Sequence, residues 1–255
     1  MSINVILQAR FSSTRLPGKV LKNIVNKPML ALQLERIKTS TLIDKIIVAT
    51  SAEQDDDVIE HLCKSLETPC FRGNLNDVLD RFYQTAKQFP CDHIVRLTGD
   101  CPLIEASIID QVITLHLNQG ADYTSNCLIP CLPDGLDVEI FTYQALETSW
   151  KNAQKPSERE HVTQYIRNHD ELFTLANYQY SPDLSMHRWT VDEPSDFELV
   201  EKIYQQLYPN KPNFTMKDVL ALLKEQPQLL MINNEFIRDE GLALSKTFDK
   251  EQGFE

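Results

Sequence analysis

INVILQARFSSTRLPGK, residues 3–19, starts as an unbroken apolar run and ends as a loop crowded with cations and hydroxyls. The run INVIL (3–7) is continuous where a half-exposed strand would alternate, which is the pattern of a short strand buried on both faces. The loop after it holds Arg10, Arg15 and Lys19, three hydroxyl residues and a Pro-Gly pair, with no acid. That is unexpected in a chain with 37 Asp and Glu against 25 Lys and Arg, whose first acid is Glu35.

Working outward, KIIVAT (45–50) and HIVRLT (93–98) repeat the buried-strand pattern. PMLALQLERIK (28–38), DDVIEHLCKSL (56–66) and NDVLDRFYQTAKQF (76–89) carry apolar residues at three-four spacing and read as helices between those strands. Strand and helix taking turns predicts an α/β fold: a mostly parallel sheet covered by helices on both faces. After residue 120 the rhythm changes. DYTSNCLIPCLPDGLDVEIF (122–141) is turn-rich, FTLANYQY (173–180) reads as an antiparallel strand, and helices resume at 194–208 and 215–226. With no repeat and no low-complexity linker, residues 1–255 are expected to form one domain with an insertion-like middle.

Bulk properties narrow the partners. A net charge of −12 argues against a nucleic-acid or anionic-membrane partner. No apolar run approaches a membrane span, and the start lacks the basic segment and cleavage site of a signal peptide. Six cysteines (63, 70, 91, 101, 127 and 131) form neither CxxC pairs nor a metal-ligand rhythm, so they are expected to be free thiols in a reducing cytoplasm.

In an open parallel sheet, ligands bind beyond the carboxyl ends of the strands, where the loop after INVIL lies. Turn backbone N–H groups form an anion nest, and Arg10, Arg15 and Lys19 add charge-assisted hydrogen bonds suited to phosphate. A polyphosphate is the expected guest, although neither the GxxxxGK[ST] nor the GxGxxG loop is present. A merely solvated basic loop is the alternative, and three bases in ten residues of an acidic chain weigh against it. Two acids also fall at strand ends: Asp100 in RLTGDCPLI (96–104) and Asp192 in HRWTVDEPSDF (187–197). Magnesium is commonly held by one or two carboxylates plus substrate phosphates, so these acids are candidate metal ligands. Turn and capping chemistry is the competing explanation for each, and Asp196 is expected in the first turn of a helix.

SEREHV (157–162) contains an S-x-x-E pattern, Ser157 with Glu160, which predicts a helix start. Arg159 and His161 would then sit near a helix N-terminus, a suitable place for a sugar carboxylate. Asp137 and Glu139 alternate along LDVEIF and are expected on one side of a strand, where they could accept hydrogen bonds from sugar hydroxyls. A capped surface helix and a solvated strand face would explain both segments equally well.

ARFSSTRLPGK, GNLNDVLDRFYQTA, RLTGDCPLI, LPDGLDVEIF, EREHVT and RWTVDEPSDF, in this order, resemble the sugar cytidylyltransferases that make CMP-KDO and CMP-sialic acids. The similarity is closest to their spore-coat-polysaccharide branch. It implies a Rossmann-like nucleotidyltransferase fold, Mg²⁺ dependence, a homodimer, and transfer of CMP from CTP to an acidic sugar with release of pyrophosphate. By position, Arg15, Lys19, Asp100 and Asp192 would be catalytic, with Asp100 and Asp192 holding the metal. Ala9, Arg10, Ser13, Arg72 and Thr98 would join Arg15 and Lys19 around the nucleotide; Thr98 stands where the KDO enzymes carry glutamine. Asp137, Glu139, Arg159, His161 and Arg188 would face the sugar. Residues 1–120 would be the nucleotide-binding half, 121–190 the sugar-binding and dimer segment, and 191–255 the metal-ligand turn with the C-terminal helices. A nucleotidyltransferase for another sugar or nucleotide is the nearest alternative; a glycosyltransferase using a nucleotide-sugar, and a nucleotide sensor without turnover, are the alternatives from other classes.

Overall fold

A computed structural model describes residues 1–236, 238 and 240–254. At its centre, β1 (Ile3–Gln8) pairs in parallel with β4 (Lys45–Ser51) on one side and β6 (His93–Thr98) on the other, so that Ile6 lies between Ile47 and Arg96. β5 (Cys70–Gly73) extends the sheet beyond β4, again in parallel. β8 (Glu139–Thr142) adds antiparallel to β6, then β7 (Tyr123–Ser125) and β9 (Leu175–Asn177) complete the order β5-β4-β1-β6-β8-β7-β9. β9 runs parallel to β7 and covers only three residues, not the antiparallel 173–180 strand expected. The reason is the route of the chain. β8 runs antiparallel to β7 and so ends beside the start of β7, and α5 (Tyr143–Asn152), α6 (Pro156–Glu160) and α7 (Gln164–Asn168) carry the chain into β9 from that same end.

The strands also explain the two-sided core. Ile3, Val5 and Leu7 point to one face, with α1 (Met29–Ile37), α2 (Asp57–Ser65), α4 (Ala106–Gln119), α8 (Pro194–Leu207) and α9 (Met216–Glu225). Ile6, Ala49 and Ile94 point to the other, against α3 (Val78–Gln88), α5 and α7. The segment 121–190 therefore contributes strands to the main sheet and helices to one of its faces. A small hairpin, β2 (Asn23–Ile24) with β3 (Lys27–Pro28), leads into α1. α10 (Glu240–Glu251) lies against α6. No helix among the described residues is long and apolar enough to cross a membrane.

Four parallel strands in the order β5-β4-β1-β6 make the chain step away from β1 in one direction and then return to its other side. That reversal, at the carboxyl ends of β1 and β6, is where such sheets open a crevice.

Candidate active site

A cleft of about 690 Å³ opens at that reversal. Its first wall is the loop after β1. Asp56, itself buried, accepts the Phe11 N–H at 2.6 Å and the Ser51 N–H at 2.9 Å, tying the loop to the end of β4. The loop closes when the Gly18 N–H reaches the Phe11 carbonyl at 2.9 Å. Gly18 has φ of 65° and a Cβ there would stand 2.9 Å from the Phe11 ring, so glycine suits both the conformation and the space. The turn delivers Lys19 inward, nearly buried, into a short 3₁₀ turn at Lys19–Leu21.

The acids come from two turns that are laced together. The Val191 N–H donates to the Asp100 carbonyl at 2.8 Å. Beyond them, Gly135 lies against the Trp189–Thr190 backbone, its own φ at 108°. Both carboxylates converge on one cation: Lys19 Nζ is 2.8 Å from Asp192 Oδ1 and 3.2 Å from Asp100 Oδ2, and it also donates to the Val191 carbonyl at 2.8 Å. Arg15 reaches Asp192 at 3.2 Å and Glu193 at 3.1 Å. Burial opposes the charge on Lys19, but the two carboxylates outweigh it and raise the ammonium above the usual lysine range. Burial likewise pushes the Asp100 carboxyl up, while Lys19 and the Thr98 hydroxyl pull it below the ordinary range. Among the described residues no three His, Cys, Asp or Glu cluster as a metal site. Two carboxylates at one point are, in type, the donors that could hold magnesium together with substrate phosphates.

Ala9, Arg10, Ser13, Arg15, Lys19, Thr98, Asp100 and Asp192 all line this cleft, as do Arg159 and His161 from the far side. The remaining sequence candidates lie elsewhere, each for a visible reason. Arg72 is engaged by Asp57 at 2.5 Å, by Glu60 at 2.8 Å and by two backbone carbonyls, so it pins β5 to the start of α2. Asp137 is ion-paired with Arg238. Glu139 is buried and takes the Arg96 guanidinium, the Tyr123 hydroxyl at 2.7 Å and the Thr163 hydroxyl at 2.6 Å, which makes it part of the core and not an acceptor for sugar hydroxyls. Arg188 binds Asp134 at 3.2 Å, Asp196 at 2.9 Å and Asp192 at 3.4 Å, and so positions an acid of the cleft without lining it. The expected Ser157–Glu160 capping pair does not form. The helix starts two residues earlier, with Lys155 at its N-cap and Pro156 its first residue, and Glu158 accepts the Lys155 N–H at 3.3 Å. It is only five residues long, so His161 falls at its C-terminal cap and not near an N-terminus as expected.

Sequence reasoning missed two cations, an acid and a ring. Arg96 lines the cleft from β6, held below by Glu139 and Gln8; a charge inside an otherwise apolar strand was its signal. Arg81, on α3, supports the 74–77 loop through the Asn74 carbonyl at 2.7 Å. Its Nε is buried without a hydrogen-bond partner, and burial with the nearby Arg10 brings its guanidinium down to about 10. Asp77 caps α3 and binds Arg159 at 2.5 Å, joining α3 to α6 across the cleft. Phe248, from α10, also faces the cleft.

A basic loop, convergent carboxylates and a crevice at the sheet reversal define a nucleotidyltransferase of the Rossmann-like type. The chain belongs to the cytidylyltransferase family, whose sequence profile matches residues 4–221. The spore coat polysaccharide biosynthesis protein SpsF of Bacillus subtilis is 33% identical over 235 residues, spanning 87% of this chain and 94% of that one. An uncharacterized protein of Methanocaldococcus jannaschii is 39% identical over 238 residues, 92% of this chain and 95% of the other. The solved structure of a cytidylyltransferase from Leptospira borgpetersenii matches with a TM-score of 0.87 at 35% identity, covering 93% of this chain and 99% of that one. Membership of this family removes the glycosyltransferase and the sensor as alternatives.

Proposed function

We propose that the protein transfers CMP from CTP to a hydroxyl of an acidic sugar of the ulosonic or nonulosonic class, releasing pyrophosphate, as a homodimer in the cytoplasm. The observation that carries the reading is the meeting of the β1 loop with Asp100 and Asp192 at one point, Lys19 Nζ lying 3.2 and 2.8 Å from the two acids. The spore-coat relative supports a saccharide as acceptor. Arg159 and Arg96, which also line the cleft, favour an acidic one.

The sugar hydroxyl attacks the α-phosphorus in line, its proton is given up to water, and the bond to the departing pyrophosphate breaks. Little covalent work falls to the protein, so positioning and charge stabilisation dominate. Arg10, Arg15 and the loop N–H groups orient the triphosphate, and Lys19 and Arg15 offset the charge that builds on the leaving pyrophosphate. Asp100 and Asp192 would hold magnesium, which supplies charge neutralisation at the α-phosphate and acidifies the attacking hydroxyl. Incubation with CTP, Mg²⁺ and a panel of acidic and neutral sugars, following pyrophosphate, tests the reading. Pyrophosphate should appear with CTP well ahead of ATP or GTP, and only with an acidic sugar present. No release with any acidic sugar, or equal use of neutral ones, refutes it.

A further inference from the structure

The family profile ends at residue 221, yet the cleft is lined by residues far beyond that point. After α9 and a 3₁₀ turn at Pro227–Met231, the chain travels back across the site and is fastened at successive places. Asn233 donates to the Arg188 carbonyl at 3.0 Å and to Asp196 at 2.8 Å, directly behind the turn that bears Asp192. Arg238 pairs with Asp137 and donates to the Leu132 carbonyl at 3.2 Å. α10 then docks on α6. Buried Asp249 accepts the Ser157 N–H at 3.0 Å, and Ser245 Oγ lies 2.9 Å from both the His161 ring nitrogen and a Glu160 carboxylate oxygen. These fastenings bring Gly241 and Phe248 to the cleft beside Pro156, Arg159, Glu160 and His161. Phe248 lines the cleft and remains 49% exposed while its neighbour Asp249 is buried, so its ring presents apolar surface that the fold does not cover.

We propose that this C-terminal arm is the acceptor wall of the active site, with the Phe248 ring as the platform for the apolar C–H face of a pyranose and the Glu160–Ser245–His161 chain along its polar edge. The chemistry matches such a guest. A sugar ring presents hydroxyls at its rim and C–H bonds on its faces, and an aromatic side chain offers a flat apolar surface with little conformational freedom to lose. The phosphate loop, Asp100 and Asp192 line the same cleft from other elements of the chain, so the arm is free to meet the attacking sugar. The inference rests on the cytidylyl-transfer reading and adds which residues meet the acceptor.

Full-length Phe248→Ala and Ser245→Ala are compared with Leu244→Ala, a change at a 72% exposed neighbour on α10 that does not line the cleft. The probes are CTP with 3-deoxy-manno-octulosonate or N-acetylneuraminate, whichever the wild type turns over faster. Phe248→Ala should raise the acceptor KM about tenfold, the loss of one stacked face, with kcat within threefold and CTP affinity by calorimetry within twofold. Ser245→Ala should shift the same KM less, and Leu244→Ala not at all. An unchanged acceptor KM in Phe248→Ala overturns the proposal, and so does a loss of CTP affinity with acceptor KM intact, which would assign the ring to the nucleotide. Absence of turnover in the wild type with every sugar defeats the cytidylyl-transfer reading itself.

Discussion

Four residues apart, Asp192 and Asp196 have opposite tasks. Asp192 is partly exposed and faces the cleft, whereas Asp196 is fully buried and accepts from Arg188, Asn233 and the N–H groups of Asp192 and Glu193. Asp192→Asn should unfold at nearly the wild-type urea concentration while turnover falls about a hundredfold. Asp196→Asn leaves Arg188 short of a buried partner and should cost about 3 kcal/mol, read from the urea midpoint. If Asp196→Asn is as stable as Asp192→Asn, the buried hub has been misjudged. Sequence placed Asp196 in a first helical turn, which the structure bears out, but its burial was not legible because Arg188 and Asn233 reach it from other segments. The basic loop was legible, since three cations without an acid stand out in so acidic a chain. Phe248 was not: a lone aromatic on a C-terminal helix has no pattern that tells cleft from surface.

At the scale of elements, the parallel strands and their helices follow from hydrophobic period, and β1, β4, β6, α1, α2 and α3 fall close to the predicted segments. Direction was less legible. Three residues of β9 carry no mark of which neighbour they join, and the helical connection through α5, α6 and α7, which enters β9 at the end where β8 stopped, decides it. Turns that bring two segments together are equally silent in sequence, and Gly135 is the clearest of them. A Cβ there would stand 2.5 Å from the Thr190 nitrogen and 2.6 Å from the Trp189 carbonyl carbon, in a backbone conformation that L residues rarely adopt. Gly135→Ala should therefore displace the Trp189–Thr190 backbone that leads into Asp192 and destabilise the fold by about 3 kcal/mol, with turnover falling further than stability alone explains. A variant with wild-type melting temperature and rate would show that the contact has slack.

Across the whole molecule, the two ends of β6 respond to different conditions. Thr98 ends the strand at the cleft, and His93 begins it at the far edge, where its ring lies 3.0 Å from His116. Burial, then the neighbouring His93, pushes His116 down to about 4, with Asp122 opposing weakly; burial also lowers His93. A histidine whose folded pKa is depressed stabilises the fold fully above its unfolded value near 6.5 and loses that contribution as pH falls toward 4. Chemical denaturation from pH 7 to 4 should lose up to about 3 kcal/mol from this residue, and His116→Gln should flatten that slope. An identical slope in the variant would remove His116 from the account. At the other end, Lys19 has a consequence for the order of events. Its ammonium sits between Asp100 and Asp192, so a divalent ion arriving alone must evict a resident charge that has nowhere comparable to go. A triphosphate offers the lysine that alternative seat. Metal and nucleotide should therefore behave as mutually dependent tenants: Mn²⁺ titrated alone, followed by paramagnetic resonance, binds weakly, CTP strengthens it about tenfold or more, and Lys19→Met binds the bare ion more tightly than wild type while binding CTP less well.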